Sequence, residues 1–238
     1  MIGPLINSAA VVIGGIAGTV AGPHIPERLK NVLPLCCGLI SISIGTVMCN
    51  KVQALPPVAL ALLMGTSVGE ILYLEKRLGS AIGWIQRQSK RLQAGRQAAP
   101  LPEEFLLKFV TVLVLFSVSG MGIFGSMHEG MTGDPEILVA KAVLDLVTAA
   151  IFATELGLAV TGIAIPQMLI QSMLYFSAFL LLPLITPAMK ADFSACGGII
   201  MIATGLRICG IKIFPIVNML PALLIIMPLS ALWSQFFG

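Results

Sequence analysis

Charge is scarce in this chain: Asp, Glu, Lys and Arg together make up 11% of its 238 residues, whereas a soluble domain carries roughly 25%. That figure excludes an ordinary water-soluble domain. Histidine is limited to His24 and His128, far apart in the chain, so no zinc-ligand spacing is available. Cys36, Cys37, Cys49, Cys196 and Cys209 contain no C-x-x-C pair and read as small apolar packing residues. There is no H-E-x-x-H, no G-x-S-x-G and no Walker loop, so neither an enzyme nor a bound cofactor is expected. No positive charge precedes the first apolar run, which argues against a cleavable signal peptide.

What the chain has in abundance is apolar sequence. Hydrophobic residues make up 57% and the mean hydropathy is +0.99, spread over nearly the whole length. The expected class is an all-α polytopic integral membrane protein, a single membrane domain over residues 1–238 with the lipid bilayer as its first partner. The net charge of +3 does not point to nucleic acid, because the basic residues gather between apolar segments and report topology. Apolar windows predict about eight helices, near 5–21, 34–50, 56–73, 105–125, 138–160, 166–185, 194–210 and 214–236. Several contain glycines or prolines, breaks that persist in lipid only where protein or a wet cavity satisfies the freed backbone.

The segment 74–100 carries Lys76, Arg77, Arg87, Lys90, Arg91 and Arg96 against the single acid Glu75, whereas 126–136 carries His128, Glu129, Asp134 and Glu136 with no Lys or Arg. The first is expected to be cytoplasmic and the second to be a periplasmic loop, with both termini outside. Within 78–92, Leu78, Ile82, Ile85 and Leu92 recur at helical spacing among basic residues, the pattern of an interfacial helix on an anionic leaflet.

A shift of 160 positions aligns 24–50 with 184–210, matching Ile25/Ile185, Lys30/Lys190, Cys36/Cys196, Gly38/Gly198, Ile40/Ile200, Ile42/Ile202, Gly45/Gly205 and Cys49/Cys209. The expected organisation is a first repeat over 1–73, the basic segment 74–100, a two-helix insert over 101–160 and a second repeat over 161–238. If spans 1–3 and 6–8 are the repeats, five spans separate equivalent helices and the copies are inverted, an arrangement many secondary transporters use.

On the fifth span, Lys141, Asp145, Thr148 and Glu155 share one polar stripe. A charge at membrane depth should meet protein or water. Asp145 reads as a cation or proton ligand, or else as half of a structural ion pair with Lys141 four residues away. Asn7 and Asn218 lie in apolar runs beside helix breaks, where an amide either bridges helices or contacts a solute. Glu70 and Arg207 read as gate charges or interfacial anchors, and Glu129 with Asp134 as a selective mouth or a solvated turn.

Residues 11–15 (VVIGG), 25–30 (IPERLK), 125–135 (GSMHEGMTGDP), 141–145 (KAVLD) and 205–212 (GLRICGIK) together resemble the bacterial YqgA/YdfK-type family, domain of unknown function 554. The resemblance covers essentially the whole chain. It implies an inner-membrane transport protein without naming a substrate, and it ranks Asp145 above Glu155. The combined expectation is a transporter or channel for a small solute or ion. A membrane scaffold or sensor that docks lipid or protein through its basic helix is the alternative. Gly14, Gly18 and Gly22 keep GxxxG spacing, which serves either a homo-oligomer or internal packing.

Overall fold

The computed structural model describes residues 1–21, 26–78, 80, 105, 109, 112–113, 116–117 and 119–237. Among them there is no strand. Described from end to end are the helices α1 (Gly3–Ala21), α2 (Glu27–Cys49), α3 (Leu55–Ile71), α4 (Gly120–Thr132), α5 (Glu136–Leu156), α6 (Ala164–Leu181), α7 (Pro187–Ile208), the short α8 (Ile216–Met219) and α9 (Ala222–Phe237); residues 74–78 and the described residues between 105 and 117 are helical as well. A 3₁₀ stretch, Gly157–Ile163, joins α5 to α6.

Local chemistry sets several boundaries. Prolines stand at the first turns of α3 and α7, where a missing N–H costs nothing. The Thr186 hydroxyl accepts the Met189 amide at the start of α7. Gly157 ends α5 at φ 57° and ψ −148°, a backbone region essentially reserved for glycine.

Five helical stretches among the described residues are long and apolar enough to cross a membrane: Gly3–Ala21, Glu27–Cys49, Glu136–Leu180, Pro187–Ile208 and Ile216–Phe236. The third runs for 45 residues but is not one rod. A continuous helix would hold Asp145 and Gln167 about 33 Å apart, yet the Gln167 amide donates to the Asp145 carboxylate at 2.8 Å. The chain therefore doubles back after Gly157. Outward faces are apolar, with Val20, Leu63, Leu169, Leu180 and Phe236 among the exposed side chains, as suits contact with lipid rather than water.

The extensive contact between α2 and α7 is made through glycine. A Cβ on Gly45 would stand 2.5 Å from the Gly198 carbonyl oxygen and one on Gly198 2.6 Å from that of Gly45, while Gly38 faces the Gly205 carbonyl in the same way. The helices run antiparallel with their backbones nearly touching. Positions related by 160 residues exchange partners: Cys49 Sγ approaches the Ala195 carbonyl at 3.8 Å, and Cys209 Sγ that of Leu35 at 3.6 Å. Such close approach lets dispersion and local dipoles hold helices where lipid offers no hydrophobic drive.

The structure departs from the sequence reading in two places. The expected span 105–125 is interrupted at Ser119, which is non-helical and whose hydroxyl accepts the Gly122 amide at 3.1 Å to start α4 afresh. The expected loop 126–136 is mostly helix: Ser126 through Thr132 complete α4, with His128 and Glu129 buried. Gly130 is not loop punctuation there but a close approach to the Tyr175 backbone. Residues 81–92 of the expected interfacial helix lie outside the described residues.

Candidate functional site

α5 starts after Asp134, whose carboxylate accepts the Glu136 amide at 3.0 Å. One and a half turns in it carries Lys141, and one turn later Asp145, 2% and 8% exposed. The i, i+4 spacing brings them together, and Lys141 Nζ donates to Asp145 Oδ2. The ammonium also lies 5.7 Å from the centre of the Phe116 ring, a cation–π distance.

Asp145 does not depend on Lys141 alone. Gln167 Nε2 donates to Oδ2 from α6, and Asn7 of α1 lies beside the same carboxylate without reaching hydrogen-bond geometry. Three helices thus converge on one acid. A turn beyond Gln167, Gln171 is buried beside Lys141: a Cβ on Gly122 of α4 would stand 3.0 Å from Lys141 Cε and 3.3 Å from Gln171 Nε2. The restart of the chain at Ser119 therefore lies next to the buried charges.

The cluster is incompletely satisfied. Both amide atoms of Asn7, both of Gln171, Gln167 Oε1 and Ser117 Oγ are buried without a hydrogen-bond partner. Unmade hydrogen bonds in such a place cost about 1–3 kcal/mol each, and buried polar groups are otherwise paired almost without exception. A groove of about 460 Å³ lined by Leu5, Ser8, Val12, Thr161, Ile165 and Met168 opens nearby. Its lining is almost wholly apolar, and Ser8 and Met168 adjoin the cluster residues Asn7 and Gln167 in sequence.

Of the residues singled out from sequence, Asn7, Lys141 and Asp145 meet here. Thr148 gives its hydroxyl to the Leu144 carbonyl at 2.8 Å. Glu155 is exposed near the end of α5 and Glu70 near the end of α3. Asn218 lies elsewhere, its Oδ1 accepting the Glu75 amide at 2.8 Å. Arg207 joins that second group by donating to Glu75 Oε1 at 2.6 Å and the Phe214 carbonyl at 2.9 Å. Glu129 takes the amides of Ile2 and Gly3 at 2.8 and 3.1 Å, capping the positive end of α1. A partly exposed Asp134 completes the turn into α5.

Sequence reasoning passed over Gln167, Gln171 and Asp192. The shift of 160 that relates the glycines also carries Asn7 onto Gln167, so extending the alignment upstream would have found it. Asp192 is fully buried and holds the Gln53 and Ala54 amides at 2.9 and 2.8 Å and the Ser230 hydroxyl at 2.6 Å. It fell in an expected connection between spans.

A buried carboxylate–ammonium pair with surplus amides, set beside a broken helix in an apolar bundle, defines a polar site within a helical membrane protein. The chain belongs to the family described as protein of unknown function (DUF554), whose model matches residues 2–231. It is 49% identical over 238 residues to the uncharacterized protein YqgA of Escherichia coli (strain K12), covering 100% of both chains. It is 25% identical over 232 residues to the uncharacterized membrane protein YdfK of Bacillus subtilis (strain 168), covering 94% of this chain and 93% of that one. No solved structure matches it.

Proposed function

We propose that this chain is a multi-pass inner-membrane transport protein of about eight spans, in which spans 1–3 and 6–8 form an inverted repeat and solute passes beside Asp145. One observation carries the reading: Asn7 and Gln167, which the 160-residue shift makes equivalent, approach the same buried carboxylate from α1 and α6. Exchange of partners between α2 and α7 supports the same inversion. In inverted-repeat transporters the ligand site lies where the repeats meet, near broken helices and the bilayer midplane, and the interruption at Ser119 supplies such a break. Asp145 and Lys141 line the path, with Asn7 at its side. Arg207 with Glu75 and Asn218 closes the cytoplasmic end, and Glu129 and Asp134 belong to the periplasmic end.

Reconstitution of the purified chain in liposomes tests the reading. Solute or ion flux above that of empty vesicles, lost in Asp145→Asn, is the expected result. Flux unaltered by that substitution overturns the path, and no flux across a broad panel favours a scaffold. In a chain with its native cysteines replaced, Arg87→Cys should label from the cytoplasm and Asp134→Cys from the periplasm.

A further inference from the structure

We propose, resting on the transport reading of the same cluster, that its ligand is a small solute of zero net charge carrying both hydrogen-bond donors and acceptors. Fixed charge is the first ground. Lys141 and Asp145 cancel, and the other buried acids among the described residues are committed elsewhere, Glu129 to the start of α1 and Asp192 to the start of α3. A divalent cation entering here would call for more than one carboxylate to offset its charge, but among the described residues Asp145 is the one acid of the cluster, and its Oδ2 already accepts from Lys141 and Gln167. An inorganic anion would meet that carboxylate at close range, in surroundings that do not screen it.

The unpartnered atoms are the second ground, and they are of both kinds. Asn7 and Gln171 each present an N–H₂ donor and a carbonyl acceptor, Gln167 adds an acceptor, and the Ser117 hydroxyl serves as either. All four side chains are 3% exposed or less. Asn7 comes from α1 and Gln167 and Gln171 from α6, and Ser117 follows Phe116, whose ring lies 5.7 Å from the Lys141 ammonium. An uncharged solute with hydroxyl or amide groups satisfies this set. A zwitterion does so as well, by presenting its cationic end to Asp145 and its anionic end to Lys141.

Proteoliposomes holding the full chain separate these cases. Glycerol and erythritol entry is followed by stopped-flow light scattering, and labelled glycine entry by filtration. Sodium, potassium and chloride fluxes are followed with entrapped indicators. At least one net-neutral probe should enter about tenfold faster than in empty vesicles, with ions at background; polyol entry marks an uncharged ligand and glycine entry a zwitterion. Asn7→Leu and Gln171→Leu should each lower that flux about tenfold, the loss expected when a hydrogen-bond partner is deleted from a buried site. Gln171→Glu keeps the shape and adds a charge, so it should depress neutral flux and admit sodium or potassium. Wild-type conduction of ions without neutral solutes overturns the inference and leaves transport standing. Neutral flux indifferent to all three substitutions removes the site, and absence of every flux removes the transport reading itself.

Discussion

Asn7 and Gln167 stand 160 positions apart in the chain and flank one carboxylate, that of Asp145. Each comes from a helix whose neighbours repeat at the same spacing. A pair of short amides in two apolar helices is an ordinary bridging device taken singly. Convergence of both on a buried acid from a third helix makes the cluster the chemical centre of the bundle.

The ion pair is testable apart from transport. Asp145→Leu leaves a buried ammonium without its counter-charge and should cost about 3–5 kcal/mol, whereas the double substitution Lys141→Met/Asp145→Leu should recover most of that loss. Thermal unfolding of the four species in detergent closes the cycle. A stable double variant without flux would assign the pair a role beyond holding the fold.

The α2–α7 contact predicts matched effects at equivalent positions. Gly45→Leu and Gly205→Leu force side chains into a facing backbone and should each destabilise by about 1–3 kcal/mol, the usual range for overpacking. Gly162 has nothing within 4 Å of an added Cβ, so Gly162→Ala should change stability by less than about 0.5 kcal/mol. Unequal losses at Gly45 and Gly205 would count against the symmetry of the contact.

Two acid-centred contacts should respond very differently. Asp192→Ala strands two backbone amides and a serine hydroxyl, for a cost of about 3 kcal/mol or more. The Arg207–Glu75 pair is 40% and 29% exposed, and Arg207→Gln should change stability by less than about 1 kcal/mol. Denaturation midpoints of the purified variants compare them directly.

Glu129 caps α1 from a helix more than 120 positions away in sequence. Glu129→Ala should lower stability by about 1–3 kcal/mol and raise amide hydrogen exchange in the first turn of α1. Unchanged exchange there would show that the cap contributes little.

How far the sequence foretold this structure depended on where each signal lay. Apolar windows are local, so α1, α3 and the spacing of Lys141 to Asp145 could be read directly. Glu129 could not be placed, because the string GSMHEGMTGDP has the composition of a loop and only the distant amides of Ile2 and Gly3 explain a buried helix there. The amides of Gln167 and Gln171 hid in a run that scored simply as apolar. Their importance is relational, set by what stands opposite them across the bundle. The glycine pairs are a middle case: the 160-residue spacing of Gly38 and Gly45 to Gly198 and Gly205 was visible in the residues, whereas their mutual contact required the fold.

Gly157 occupies one residue in a run of 45 that is apolar and helical on either side of it. Its positive φ, a torsion an alanine would resist, turns what would otherwise be one continuous helix into an out-and-back pair. In a membrane this fixes parity: every helix after it changes direction relative to a chain in which the rod ran straight. The side on which α7 begins, and hence whether it lies head-to-tail or head-to-head with α2, hangs on that torsion.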